Sequence, residues 1–479
     1  MDRNKTRAQK RRNGFFPLLA CVLLVVTLTG FCLHLTGGGS VARAWKKTAD
    51  ALCEKEEATL FLLSSLKEGG LSAQGKELNL SYQASLPQAL SFSVKDHSTE
   101  IGFFAQGDTL TLHSPALLEG AYAAPRGGIG TAFSQSILNG EAVRCEHAAL
   151  FRLILALSDP ALWGEDVEEG LSELWKKADP KMNKIPLKVR DMGTAGGTAY
   201  EYTVDSHGLV NALNQLISLR KQEDFQSGIR ARAAALFALC GKDFTPDDEK
   251  ALLDFLSGKG DAFNAFSQLV GKSDSKLELG VIVNRKGFVS HFGASWNLGE
   301  YQGEIAVLLE GKSGTPSLEE ATLSVKKGES EYLSFTAKFH ITDDSDLALI
   351  REATFSLSDQ SGILLDPEAS EKTLTLRYSW GKEKGDLGLK IITPEKEINL
   401  RGALDEWKRG SRLAFTLKRL ESGGKNLLTQ KEIAFTLRPE ASPKSAPEAK
   451  GPLFPEGEER EALGLLFDTH YGEIFGGAE

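Results

Sequence analysis

The chain has 479 residues, of which 41% are hydrophobic and 25% charged, and its formal net charge is −9. This composition excludes a disordered chain, and the length allows one large domain or two ordinary ones without disulfide staples. Residues 1–35 contribute +5, so the rest of the chain carries −14. Such an acidic surface repels nucleic acid and anionic lipid headgroups, and we expect neither as a ligand.

The amino terminus predicts a membrane anchor. Residues 1–14 form a basic tail with six Arg or Lys and one Asp, and residues 15–35 contain no Asp, Glu, Lys or Arg. An α-helix needs about 20 apolar residues to cross a bilayer, and a basic flank keeps its end in the cytoplasm. We therefore predict a single-pass transmembrane helix at 15–35, in contact with the lipid bilayer, and an extracytoplasmic chain from residue 36.

A cleaved signal peptide is the alternative to this anchor. Ala42-Arg43-Ala44 has the small-x-small spacing of a cleavage site, but the apolar run is longer than the roughly 7–15 residues usual in a signal. Leu18-Leu19-Ala20-Cys21 is similar to a lipobox, although the apolar run continues past it. We favour the uncleaved anchor.

The extracytoplasmic chain begins with a predicted helix at 44–66 and then turns to strands. Apolar and polar residues alternate without exception over 78–86, where Leu80 and Tyr82 belong to the apolar set. Period-two alternation predicts strands with one dry and one wet face. Shorter runs at 90–94, 101–103 and 110–112 continue this block.

A helix-rich insertion is predicted over about 130–262. Its clearest signal is Thr245-Pro246-Asp247-Asp248, in which a capping residue is followed by proline and by acids on the positive end of the helix dipole. Strand-like runs interrupt the insertion at 185–189 and 198–204. Further helices are predicted at 131–139, 145–157, 167–174 and 209–217.

Residues 275–438 are predicted to be strands throughout. Most alternate apolar and polar residues, which is typical of an antiparallel sheet with one packed face. The tetrad Ala-Phe-Thr-Leu occurs at 414–417 and at 434–437, and we interpret the two copies as neighbouring strands. Together, 36–438 is predicted to be one extracytoplasmic α+β region.

The carboxy-terminal segment changes character. Residues 439–460 are rich in proline, glutamate, serine and lysine, which predicts a stiff, disordered linker. Residues 461–479 regain apolar side chains, among them Leu463 and Phe467. This short module is expected either to dock on its own domain or to bind a partner.

No metal or cofactor site is predicted. Cys53, Cys145 and Cys240 are too scattered for a disulfide framework, which leaves either buried thiols or one bridge and an odd thiol. No two histidines have the three- or four-residue spacing of ligands on a helix, and neither H-E-x-x-H nor an EF-hand loop occurs.

Catalytic residues are not predicted either. Ser218-x-x-Lys221, Ser295-x-Asn297 and Lys312-Ser313-Gly314 match the three motifs of serine-lysine peptidoglycan enzymes. However, Ser218 falls late in its predicted helix, and the last two motifs are too close in sequence to form a cleft. The triplets Gly271-Lys272-Ser273 and Gly311-Lys312-Ser313 both lack the upstream glycine of a phosphate-binding loop. We therefore expect no enzyme of a recognisable class.

The order of elements predicts the fold. An amino-terminal helix, a long antiparallel sheet and inserted helices fit an α+β fold in which a large curved sheet has helices covering one face. Over residues 45–438 this plan resembles the bacterial LolA-like and LppX-like lipoprotein-carrier folds. The resemblance implies a lipid or other apolar ligand held between sheet and helices, but the same surfaces equally fit an ordinary core, which we favour.

A second, local resemblance concerns residues 119–138. Glu119-Gly120-Ala121-Tyr122, followed by a predicted helix that ends with Ser136-Ile137-Leu138, is similar to a segment of single-pass membrane proteins of Gram-positive gut anaerobes. In that family a glycine usually follows the tyrosine, whereas this chain has Ala123-Ala124-Pro125. The family has no established activity, so the resemblance implies membrane topology alone.

These observations predict a membrane-anchored, extracytoplasmic binding or scaffold protein of the cell envelope. Two alternatives stay open: a carrier or sensor of a lipid or other apolar ligand, and an envelope-polymer hydrolase of unrecognised class.

Overall fold

The fold is seen in a computed structural model, which describes residues 40–55, 64–65, 67–75, 78–96, 99–127, 133, 136–139, 143, 145–176, 187–192, 197–218, 222–239, 242–311, 314–344, 348–360, 371–381, 385–392, 397–408, 412–422, 424–426, 432–438 and 442–475. The predicted tail 1–14 and span 15–35 lie outside these ranges. Within the ranges, no helix has the length and apolar character needed to cross a membrane.

The described chain is α+β, as predicted, with helices concentrated between two blocks of strands. The helices are α1 Ser40–Lys55, α2 Pro115–Leu118, α3 Cys145–Ser158, α4 Pro160–Trp163, α5 Asp166–Lys176, α6 Ser206–Ser218, α7 Glu223–Leu239, α8 Pro246–Leu256, α9 Gly260–Val270 and α10 Glu458–Phe475. The predicted start of α8 is confirmed: Thr245 caps the helix, Pro246 is its first residue, and Thr245 and Asp248 form a reciprocal capping box.

The strands form one large sheet, and almost every pairing is antiparallel. They are β1 Glu68–Gln74, β2 Leu78–Ser85, β3 Ala89–Asp96, β4 Thr99–Gln106, β5 Thr109–Ser114, β6 Gly120–Pro125, β7 Leu187–Asp191, β8 Thr198–Asp205, β9 Lys276–Val283, β10 Val289–Leu298, β11 Tyr301–Glu310, β12 Pro316–Lys327, β13 Ser330–Asp344, β14 Ala348–Asp359, β15 Glu371–Gly381, β16 Gly385–Ile392, β17 Glu397–Lys408, β18 Arg412–Ser422, β19 Lys425–Asn426, β20 Ile433–Arg438 and β21 Gly451–Pro452.

Strand pairing joins the two ends of the chain. Strands β7 to β18 pair in sequence order, β20 follows β18, and β1 then pairs with β20 and begins the run from β1 to β6. The short β21 lies parallel to β6. The two Ala-Phe-Thr-Leu tetrads lie in β18 and β20, which are neighbours as predicted, and Phe415 stacks on Phe435 with ring centroids 4.8 Å apart.

The register places apolar residues opposite one another on what we call the inner face of the sheet. In the first half, Leu279 lies opposite Tyr202 and Ala294. The row then continues through Ile305, Leu323, Phe335 and Leu357. In the second half, Phe435 lies opposite Ala73, and the row runs on through Leu80, Val94 and Ile101. The alternation at 78–86 therefore marks one face of a strand, as predicted.

Helices cover the inner face in two places. Helices α5 to α9 pack on β8 to β13 in one core, to which Tyr202, Leu279 and Trp296 contribute from the sheet. Trp296 lies directly over Gly303, where any side chain would meet its indole ring. A second core joins β2 to β6 with α2, α3 and α10.

Helix α1 packs beside the first of these cores. Val41 and Ala44 contact Val281, Val289 and Leu309 in a separate apolar cluster on the same strands. Trp45 meets the ring of Phe292 edge-on, with centroids 6.1 Å apart. The helix begins at Ser40, four residues before the start predicted from sequence.

The carboxy-terminal segment lies along the second core. Its composition predicts a disordered linker, whereas in the structure Lys444 donates its backbone N–H to Ser91 Oγ at 3.0 Å and Lys450 donates to Ala121 O at 2.7 Å. Leu453 is fully buried, and α10 then adds Phe467 and Tyr471 to the core. Proline denies this stretch a regular ladder, but isolated hydrogen bonds and one buried leucine attach it to the sheet.

Candidate functional site

Among the described residues, the side chains of two apolar cores occupy the space between sheet and helices. One gap lies among helices α6 to α9; it has a volume of about 10 Å³ and is lined by Leu213, Leu216, Phe225, Phe255 and their neighbours. One water molecule needs roughly this much room, and ligand pockets typically measure about 300–1,000 Å³. In the described part of the chain, the inner face therefore serves as core.

A larger groove lies on the opposite, outer face of the sheet. It has a volume of about 760 Å³ and crosses strands β8 to β11. Its floor is formed by Gly280, Gly293 and Ala306, which lie opposite one another on three neighbouring strands. A side chain added at Gly280 would meet no atom within 4 Å. The groove exists because three small residues coincide where larger side chains would otherwise cover the sheet.

The outer groove is lined by polar side chains. On one side of the floor, Thr203, Glu278, Ser295 and Glu304 lie in register across four strands. On the other side stands His291, and its cross-strand neighbour Leu308 is 39% exposed. The groove thus has one hydroxyl- and carboxylate-bearing wall and one wall that combines an imidazole with an aliphatic side chain.

Several charges of the groove are already paired. Glu201 accepts a hydrogen bond from Arg190 at 2.8 Å and lies 3.9 Å from Lys188. Glu278 pairs with Lys276 at 3.0 Å. Burial lowers the pKa of His291 below its ordinary value, because desolvation disfavours the charged imidazolium. These groups can exchange hydrogen bonds with a polar ligand.

The residues weighed as catalytic on sequence grounds do not converge. Ser218 is the last residue of α6, where its hydroxyl donates to Gln215 O at 2.5 Å. Ser295 belongs to the outer groove, on the opposite face of the sheet from α6. Lys221 and Lys312 lie outside the described residues, as do the side chains of the three external cysteines. Among the described residues, no three His, Cys, Asp or Glu side chains are placed to hold a metal ion.

A cleft of about 440 Å³ between α5 and α7 is lined by acidic side chains, most of them at the amino-terminal ends of these two helices. Asp166 and Glu169 belong to the first turn of α5, and Glu223 and Asp224 begin α7. Carboxylates at these positions stabilise the positive ends of two helix dipoles. No ligand is therefore needed to explain why carboxylates occupy these positions.

The outer groove was missed by the sequence analysis. Its only local signal is glycine inside strand patterns, at Gly280 and Gly293, which marks close backbone approach or a missing side chain. Which glycines become neighbours depends on register, and residues 280, 293 and 306 belong to three different strands.

No protein-family model, curated protein or solved structure matches this chain.

Proposed function

We propose that the protein is a single-pass, membrane-anchored scaffold of the cell envelope, whose extracytoplasmic α+β domain binds a partner through the outer groove. The main support for this proposal is the uncharged run at residues 15–35. It follows a basic tail and precedes the folded region that begins at Ser40. The amino terminus is cytoplasmic in this proposal.

The packing of the inner face favours a scaffold over the carrier alternative. A lipid carrier holds its ligand between sheet and helices, where Tyr202, Leu279 and Trp296 of the sheet pack against the side chains of α5 to α9 in an apolar core. The outer groove is larger but polar, which favours an extended polar segment of a protein partner over an acyl chain. The resemblance to LolA-like and LppX-like folds, including the curvature of the sheet, stays a prediction.

Photo-crosslinking in the membrane of the full chain tests this proposal. A photoreactive amino acid at Ser295 should give crosslinks to a protein, whereas the same group at Asn264, exposed on α9, should not. Mass spectrometry of the same membrane extract should recover peptides from residues 1–44.

Two results contradict the proposal. A chain that begins only at Trp45 disproves the anchor, and an extract in which lipid but no protein is attached at position 295 supports the carrier instead.

A further inference from the structure

The outer face of the sheet already holds an extended segment of the chain itself, at strands β3 to β6. Residues 442–453, which we call the strap, contain no helix, and Ser91 Oγ in β3 accepts the backbone N–H of Lys444 at 3.0 Å. The neighbours of this serine in β3, Leu90 and Phe92, pack in the second core, so its own side chain points to the opposite face. The strap therefore lies on the same side of the sheet as the outer groove.

The strap extends from β3 to β6 and is held largely by its own backbone. Lys450 donates its backbone N–H to Ala121 O in β6 at 2.7 Å. Pro443 and Pro447 are partly buried, whereas the side chains of Lys444 and Lys450 are exposed. Proline favours an extended backbone without internal hydrogen bonds, which leaves the other N–H groups available to the sheet. Partly buried prolines and backbone donors are thus the means by which this face binds a peptide segment.

The outer groove offers hydrogen-bond acceptors of the same kind. In its polar wall, Ser295 lies between Glu278 on β9 and Glu304 on β11. Glu304 in turn lies opposite a second serine, Ser324 on β12. Hydroxyl and carboxylate oxygens accept hydrogen bonds from backbone N–H groups, and carboxylates bind a lysine or arginine side chain more strongly. The wall therefore fits a segment that supplies backbone donors and cations.

The groove and the strap also agree in length. The groove crosses four strands, β8 to β11, and the strap extends over four strands, β3 to β6. Four neighbouring strands span about 14 Å, and a polyproline backbone advances about 3.1 Å per residue, so about six to eight residues cover either stretch. A segment that already favours this conformation also loses little entropy on binding.

We propose that the outer groove takes an extended, proline-containing segment of a partner protein that carries lysine or arginine, bound as the strap is bound within the chain. This assignment rests on the proposed scaffold function and names the kind of partner. The backbone N–H groups of the segment donate to the polar wall, and its cations face Glu278 and Glu304. Its prolines lie on the small residues of the floor beside the exposed Leu308, where a Cβ atom at Gly280 would meet nothing within 4 Å.

A peptide of defined sequence tests the proposal on the full chain in neutral detergent. The probe has the sequence of residues 443–450, Pro-Lys-Ser-Ala-Pro-Glu-Ala-Lys, with a photoreactive phenylalanine in place of its first alanine. Mass spectrometry after illumination locates and quantifies the attached probe, which we expect on β8 to β11. Attachment should fall at least about threefold when both prolines of the probe become alanine, or when both lysines become glutamate.

Variants of the groove supply the matched controls. Gly280→Val fills the floor without touching another residue, so it should keep the melting temperature and lower attachment of the probe at least about fivefold. Glu304→Lys should lower attachment at least about threefold, because it repels the lysines of the probe. Asn264→Ala, at an exposed position on α9, should bind the probe as the parent chain does.

Attachment that Gly280→Val leaves unchanged overturns the proposal. So does attachment confined to β3 to β6, where the probe would have displaced the strap. The scaffold function is judged separately, by the crosslinks from position 295 to a membrane protein. If that protein is captured but the probe does not attach to the groove, the scaffold stands and its partner segment is of another kind. If neither product forms, both proposals fall.

Discussion

Thr48 connects α1 to the sheet through a single hydroxyl. Its Oγ1 donates to Ala44 O at 2.7 Å and accepts the backbone N–H of Val289 at 2.8 Å. The register between β9 and β10 shifts just after Val289, at the place where its N–H bonds to the threonine. Both residues are fully buried, so water cannot replace the bond.

Thr48→Val tests this contact, because valine has a similar shape and no hydroxyl. An unsatisfied buried N–H costs about 1–3 kcal/mol, so the free energy of unfolding should fall by that amount in denaturant titrations of the purified chain. Thr48→Ser keeps the oxygen and is expected to lose less. Equal losses for valine and serine would assign the effect to packing.

Arg126 has a structural role that the sequence did not indicate. The residue directly follows the last residue of β6, yet its side chain is fully buried. Its guanidinium donates to Ser158 O at 2.7 Å and to Gln88 O and Gly107 O, both at 3.0 Å. It thereby joins the last turn of α3 to two hairpin turns, and a cation at a helix carboxy terminus is favourable there.

At the scale of elements, α10 completes the second core. Leu463, Phe467 and Tyr471 are spaced four residues apart and all three are buried. His147 Nδ1 and the Tyr471 hydroxyl lie 2.6 Å apart, which links α10 to α3. The structure thus shows this helix on its own domain, which was one of the two outcomes left open by the sequence.

Phe467→Ala and Leu465→Ala are a matched pair on α10. Phe467 is 1% exposed and Leu465 is 70% exposed. Removing the buried ring should cost about 3–5 kcal/mol, whereas the exposed leucine should change stability by about 0.5 kcal/mol or less. Melting temperatures of the full chain measure both. A Phe467→Ala variant as stable as the Leu465→Ala variant would indicate that α10 leaves the core and serves a partner.

At the scale of the whole molecule, the pairing of β1 with β20 unites the two blocks of strands. Gly69, at the start of β1, lies so close to the neighbouring backbone that a Cβ atom would meet Arg438 O at 2.4 Å and Ser65 O at 2.7 Å. Backbone atoms cannot move aside as a flexible side chain does. This junction therefore requires glycine.

Gly69→Val should separate the blocks locally, at a cost of about 1–3 kcal/mol or more. Gly280→Val is the control, because Gly280 also lies within a strand but has open space beside it. We expect that variant to stay within about 0.5 kcal/mol of the parent in thermal melts. Similar losses at both positions would mean that the effect comes from glycine replacement in general and not from the junction.

Local patterns in the sequence determined the α+β class, the alternation of strands such as 78–86 and the capped start of α8. These features depend on residues within a few positions of each other, where side-chain period and capping act directly. The anchor prediction is of the same kind and lies in residues outside the described ranges.

Only the tertiary structure decided which distant pieces meet. The pairing of β1 with β20 and the coincidence of Gly280, Gly293 and Ala306 in one groove both join residues that no local pattern relates. Many strands of this chain share the same apolar alternation, so the pattern alone does not choose among partners. The choice is made by the packing of whole faces, because only one arrangement fills both cores together.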